Sequence, residues 1–180
     1  LLPVLPLGVT CAEFAPDKAV GAALRARLGI GADDIACAII ARLTPHEKFD
    51  PLPIYLSMQA AQRQIAATGS TQKLFVAFCG QFREDYSKKV FTESVTRLMP
   101  DVGFALLDGA VAAERKAVLS GADVFLSNHP NWDGSTTKMP ALMKRAAGAP
   151  HPYVIGAKSL QSYLTIAEQF VLASAVNKPI

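Results

Sequence analysis

An arginine and a lysine six residues apart, Arg42 and Lys48, lie in the run Ala41-Arg42-Leu43-Thr44-Pro45-His46-Glu47-Lys48, directly after the apolar stretch 35–40. A loop leaving a buried strand at its carboxyl end is where open α/β sheets bind ligands. A guanidinium and an ammonium placed there can grip a diphosphate and neutralise the charge that develops when it leaves. The pair therefore predicts a phosphorylated ligand and, as the leading idea, a nucleotide-linked substrate.

Such a loop works only if a sheet holds it, and the hydrophobic pattern supplies one. Asp17 is placed to cap a helix over 18–28 that Gly29 closes, and the Ile/Ala/Leu-dense segment 35–43 fits a buried parallel strand. A helix over 51–68 ending at Gly69, a strand over 73–79 stopped by Gly80, a helix over 87–98 ended by Pro100 and a strand over 102–107 closed by Asp108-Gly109 follow. A short helix over 112–120 and a fourth strand over 122–126 complete the rhythm. Strands alternating with helices call for a parallel sheet with crossover helices, a Rossmann-like α/β architecture. Asp33-Asp34 and Asp108-Gly109 are expected to be turns, and Tyr86, Lys88 and Lys89 a solvated helix start.

Beyond Ser127 the texture changes. The polar stretch 128–134 leads into a helix expected over 136–147, a Gly/Pro loop over 148–152, a short strand over 153–155 and an amphipathic helix over 159–175. The chain therefore divides into a sheet-bearing part, 1–127, and a mostly helical tail, 128–180.

Composition narrows the function classes. At 180 residues the chain can bury one core, and 51% apolar with 18% charged residues marks a globular protein. The net charge of +3 is spread along the chain without a basic stripe or interleaved aromatics, so nucleic acid is not an expected partner. No apolar run reaches the roughly 18 to 20 residues of a membrane span. Three cysteines, Cys11, Cys37 and Cys79, lack C-x-x-C spacing and fall in or beside apolar segments, which predicts buried reduced thiols and a cytoplasmic location. The start, Leu-Leu-Pro-Val-Leu-Pro-Leu-Gly, has neither an initiator Met nor the features of a signal peptide and reads as a chain entered in its middle.

Several ordered blocks then carry a resemblance. Pro6-Leu7-Gly8-Val9, Leu24-Arg25, Leu28-Gly29-Ile30, Ala41-Arg42-Leu43 with Lys48, Cys79-Gly80-Gln81, Leu106-Leu107-Asp108-Gly109 and the run from Val118 through Gly121-Ala122-Asp123 to Ser127 occur in the order found in retaining GT-B glycosyltransferases. Residues 1–127 resemble that family's carboxyl-terminal, donor-binding domain, half of a GT-B fold. The resemblance implies a nucleotide-sugar donor whose phosphates Arg42 and Lys48 bind, a nucleotide loop at Gly80 and Gln81, and no required metal cofactor. It also implies an acceptor-binding domain upstream of the chain and an acidic motif downstream. No such motif follows Asp123, where the remaining carboxylates are Asp133 and Glu168. No catalytic residue is assigned, the acceptor is unknown, and the segment is expected to be incomplete or inactive alone.

The tail carries a second resemblance. Ser127-Asn128-His129-Pro130-Asn131-Trp132-Asp133-Gly134-Ser135, His151-Pro152-Tyr153-Val154-Ile155-Gly156 and Gln161-Ser162-Tyr163-Leu164 make residues 122–180 similar to the carboxyl end of dizinc metallo-β-lactamases. That would make His129 a zinc ligand and the chain a fragment of a zinc hydrolase. A dizinc site needs five or six His/Asp ligands, and the chain has three histidines. The two resemblances overlap at Gly121-Ala122-Asp123-Val124-Phe125-Leu126-Ser127, as expected of a chimeric or truncated chain. A non-catalytic α/β binding domain is the third expectation.

Overall fold

The computed structural model describes residues 15, 17–44, 49–125, 135–156, 159 and 162. Four parallel strands, β1 (Ile35–Arg42), β2 (Leu74–Gln81), β3 (Gly103–Asp108) and β4 (Val124–Phe125), form one sheet in the order β3-β2-β1-β4. Helices α1 (Lys18–Leu28), α2 (Leu52–Ala67), α3 (Asp85–Leu98) and α4 (Ala112–Gly121) surround it, and α5 (Ser135–Met143) follows. Strand order runs one way from β1 to β3 and then returns past β1 to β4. A crossover of one hand places α2 and α3 on one face of the sheet and α4 on the other, where it meets α1.

Local chemistry sets the boundaries. Asp17 caps α1, its Oδ1 accepting from the Ala19 and Val20 amides at 3.0 and 3.1 Å, and Gly29 closes it at φ 68°. Asp50 accepts from the Leu52 amide at 3.0 Å ahead of α2, whose N-terminal turn also takes Pro53 without losing a needed donor. Helix α3 begins at Asp85, two residues earlier than the sequence suggests, with the Asp85 carboxylate favourably placed in its first turn.

The two faces of the sheet differ in side-chain size because successive strand residues alternate. Cys37, Ile39, Leu74, Val76 and Phe78 meet Tyr55, Phe91, Val95 and Met99 from α2 and α3. Phe91 is the hub there, with ring centroids 5.1 Å from Phe78, 5.6 Å from Tyr55 and 5.3 Å from Phe82. On the other face Ala38, Ala77 and Cys79 meet Leu24, Ala117, Val118 and Ala122. Helices α1 and α4 touch through glycine: a Cβ on Gly21 would fall 2.3 Å from the Ser120 carbonyl oxygen, and one on Gly121 3.1 Å from that of Gly21.

At the amino end of the strands Arg25 ties three segments together. Its Nη1 donates to Asp123 Oδ2 at 2.8 Å and to the Gly121 carbonyl at 3.1 Å, and its Nη2 to the Gly31 and Asp34 carbonyls at 2.7 Å each. Asp123 also accepts from the Ala36 amide at 3.0 Å and returns its own N–H to the Ala36 carbonyl at 2.8 Å. The segment 121–125, shared by the two resemblances, is thereby part of the sheet-bearing body.

The turns at Asp33-Asp34 and Asp108-Gly109 form as expected, Asp34 accepting from the Gly31 amide and Asp108 from that of Ala110, both at 2.8 Å. Cys37 and Cys79 are buried free thiols, and Cys11 lies outside the described residues. Burial pushes Cys37 up to about 12, with the Asp123 charge adding to it, and Cys79 up to about 11.

Two expectations for the tail need correction. Helix α5 ends at Met143 rather than 147: Pro140 lacks an amide donor, the Arg145 amide tightens onto the Leu142 carbonyl at 3.2 Å, and Gly148 turns at φ 79°. Residues 153–155 are not a strand, because the Tyr153 amide turns back to His151 Nδ1 at 3.3 Å and the Val154 amide to the His151 carbonyl at 3.1 Å. Of the helix expected over 159–175, Ser159 and Ser162 are helical and the other residues lie outside those described. The tail is nonetheless seated on the body: Tyr153 is buried in the aromatic core, Val154 packs beside it, and Ile155 reaches the small-residue core. No described helix is long and apolar enough to cross a membrane.

Candidate functional site at the carboxyl end of the sheet

The reversal of strand order falls between β1 and β4, and the open α/β rule places a ligand crevice at the carboxyl ends of that pair. Strand β4 pairs with β1 at Cys37 and Ala38, and the residues that follow Phe125 lie outside those described. Ile40, in a central strand, is 41% exposed. No sequence signal singles it out from the buried Ile39 beside it.

Arg42 is the last residue of β1, exposed, in register with Gln81 and on the same side as Ile40. It makes no side-chain hydrogen bond or ion pair among the described residues. Lys48 and His46 lie outside the described residues, as does His129. The predicted basic pair is thus placed for Arg42 alone.

Gly80 and Gln81 are not a loop after the second strand. They are its last two residues, paired with Ala41 and Arg42, and the Gln81 carbonyl also accepts from the Leu43 amide at 3.0 Å. The glycine serves packing: a Cβ at Gly80 would fall 2.0 Å from the Ala41 carbonyl oxygen and 2.7 Å from Leu43, while one at Gly109 would meet the Gly80 Cα at 2.6 Å. The strand continues because nothing else fits between β1 and the turn after β3. Gln81, exposed beside Arg42, keeps its amide free for a ligand among the described residues.

Two carboxylates near this end are already engaged. Asp108 holds the turn into α4, and Glu114 accepts from Arg27 through both oxygens at 2.9 and 2.6 Å. The hydrogen bond from Arg27 holds the Glu114 carboxyl below the usual range. Arg115 donates to the Gly109 and Ala110 carbonyls at 2.6 and 3.0 Å and so braces the same turn. Among the described residues no three His, Cys, Asp or Glu side chains gather as a metal site. Chemically, the described site offers one strong bidentate cation, an amide and an apolar floor at Ile40. It can bind an oxyanion attached to a larger group.

No protein-family model matches the chain, and no curated protein matches it.

Proposed function

We propose that this chain binds the diphosphate of a nucleotide sugar at the carboxyl end of its sheet, as the donor-binding half of a GT-B-type glycosyltransferase. The observation that carries the proposal is the position of Arg42: an exposed guanidinium without a carboxylate partner among the described residues, at the end of the strand where the parallel order reverses. In this scheme Arg42 and Lys48 grip the two phosphates, Gln81 contacts the ligand beside Arg42, and the sugar acceptor comes from a separate domain. Engagement of Asp108 and Glu114 in structural bonds favours binding without turnover by this segment alone, the non-catalytic form of the same function. The zinc-hydrolase alternative rests on His129 and gains no support from the described residues.

Calorimetric titration with uridine and adenosine diphosphates and their glucose conjugates tests this. One of these nucleotides should bind, and the Arg42→Ala/Lys48→Ala double variant should lose about a hundredfold in affinity, as expected for two charge-assisted contacts. Equal affinity in the double variant, or no binding by any of the four, overturns the proposal.

A further inference from the structure

Where Ile40 pairs with Cys79, exposure changes sharply from one strand to the next. Cys79 on β2 is fully buried in the small-residue core, whereas Ile40, its neighbour on β1 and on the same face, is 41% exposed. Two residues earlier on that face of β1, Ala38 is buried in the same core. The cover that α1 and α4 give this face therefore ends, on β1, between Ala38 and Ile40, and Ile40 stands partly in water.

Arg42 lies two residues further along the same face, about 6.6 Å beyond Ile40. A cation and an apolar surface thus follow one another along the end of a single strand, with nothing between them in the chain but Ala41, which points to the opposite face. Isoleucine suits a contact surface. Branching at Cβ leaves it stiff at χ1, so little rotamer freedom is lost when a ligand covers it, and the gain grows with the apolar area removed from water.

We propose that Ile40 is the platform for the nucleobase of the ligand and so a specificity residue of this site, an inference that rests on the diphosphate reading of Arg42. A diphosphate held at Arg42 carries two groups, of which one can lie back over β1. The base offers a flat face that covers Ile40 without burying hydrogen-bonding groups, whereas a sugar laid there would have to shed water from its hydroxyls. With the base over Ile40, the sugar points away from the sheet, toward an acceptor held by a separate domain.

Calorimetry on the intact chain with inorganic pyrophosphate, uridine and adenosine diphosphates and their glucose conjugates tests this. Pyrophosphate should bind, and one nucleoside diphosphate more tightly. Ile40→Thr, which keeps the branched Cβ, should weaken that nucleoside diphosphate and its glucose conjugate alike, by about tenfold, and pyrophosphate by less than about twofold. Ile40→Val, one methylene smaller, should give a loss of the same kind of about twofold to threefold. If none of these ligands binds the parent chain, the diphosphate reading falls and this inference with it. Pyrophosphate bound as tightly as both nucleoside diphosphates overturns this inference alone, as does nucleotide affinity unchanged in Ile40→Thr, or pyrophosphate lost equally in both variants. A loss confined to the glucose conjugate assigns Ile40 to the sugar and overturns it as well.

Discussion

The two faces of the sheet solve the same packing problem in opposite ways. Toward α2 and α3 the sheet presents Phe78, Val76 and Ile39, and the helices answer with Tyr55, Phe91 and Met99. Toward α1 and α4 it presents Ala38 and Ala77, the helices answer with Leu24, Ala117 and Val118, and the two helices meet each other backbone to backbone at Gly21 and Gly121. The first face is held by buried area and is sensitive to deletion. The second is held by proximity and polar pinning, and is sensitive to addition and to loss of charge.

The largest expected effect is on the aromatic face. Phe91→Ala removes the ring that Phe78, Tyr55 and Phe82 all contact edge-on and should cost about 4 kcal/mol in urea unfolding. Next comes the clamp on the other face: Asp123→Ala takes the counter-charge from Arg25, which keeps its three carbonyl bonds, and leaves the Ala36 amide unpaired, with an expected loss of about 2 to 3 kcal/mol. Gly21→Ala, one methyl group, should cost about 2 kcal/mol because the Ser120 carbonyl must give way, whereas on a helix surface the same change would stabilise. If Gly21→Ala is neutral, the two faces do not differ as described.

Smaller effects sharpen the contrast. Arg27→Ala should cost under about 1 kcal/mol, since Arg27 is half exposed. Its signature is pH dependence. The Glu114 carboxyl is depressed on folding, so its contribution is present above the ordinary value of 4.5 and lost as pH falls through the lower folded value. The variant should therefore show a flatter stability profile below about pH 4.5 than the parent chain. Smallest of all is Tyr55→Phe. The Tyr55 hydroxyl is buried without a hydrogen-bond partner among the described residues, and burial, followed by the Asp50 charge, pushes its ionisation above the ordinary pH range. Removing the hydroxyl should leave the melting temperature unchanged or slightly higher.

How much of this could be read from the chain follows from the kind of signal each feature leaves. The alternation of apolar runs with capped, amphipathic segments marked every strand and helix of the body, because Asp17, Gly29, Gly69 and Pro100 punctuate it locally. Arg42 could be placed at a strand end for the same reason. Arg25 and Asp123 stood out only as parts of a resemblance, and their role as a clamp depends on a separation of 98 residues that no local pattern records. Gly80 suggested a loop because glycine usually breaks strands. Its actual cause, the Ala41 carbonyl against its Cα, is a tertiary fact. In the tail, Tyr153-Val154-Ile155 has strand composition, but His151 recaptures the amides of the first two residues. Local capping overrode propensity there.

The pairing of Gly21 with Ser120 and Gly121 sets an order of events during synthesis. Helix α1 leaves the ribosome before any other described element, yet its closest neighbour is encoded about a hundred residues later. Until α4 emerges, the apolar side of α1 has no helix to pack against, and an isolated helix of 11 residues is marginal in water. A helix that emerges early among the described elements is therefore secured late, and the long loop it closes slows that step.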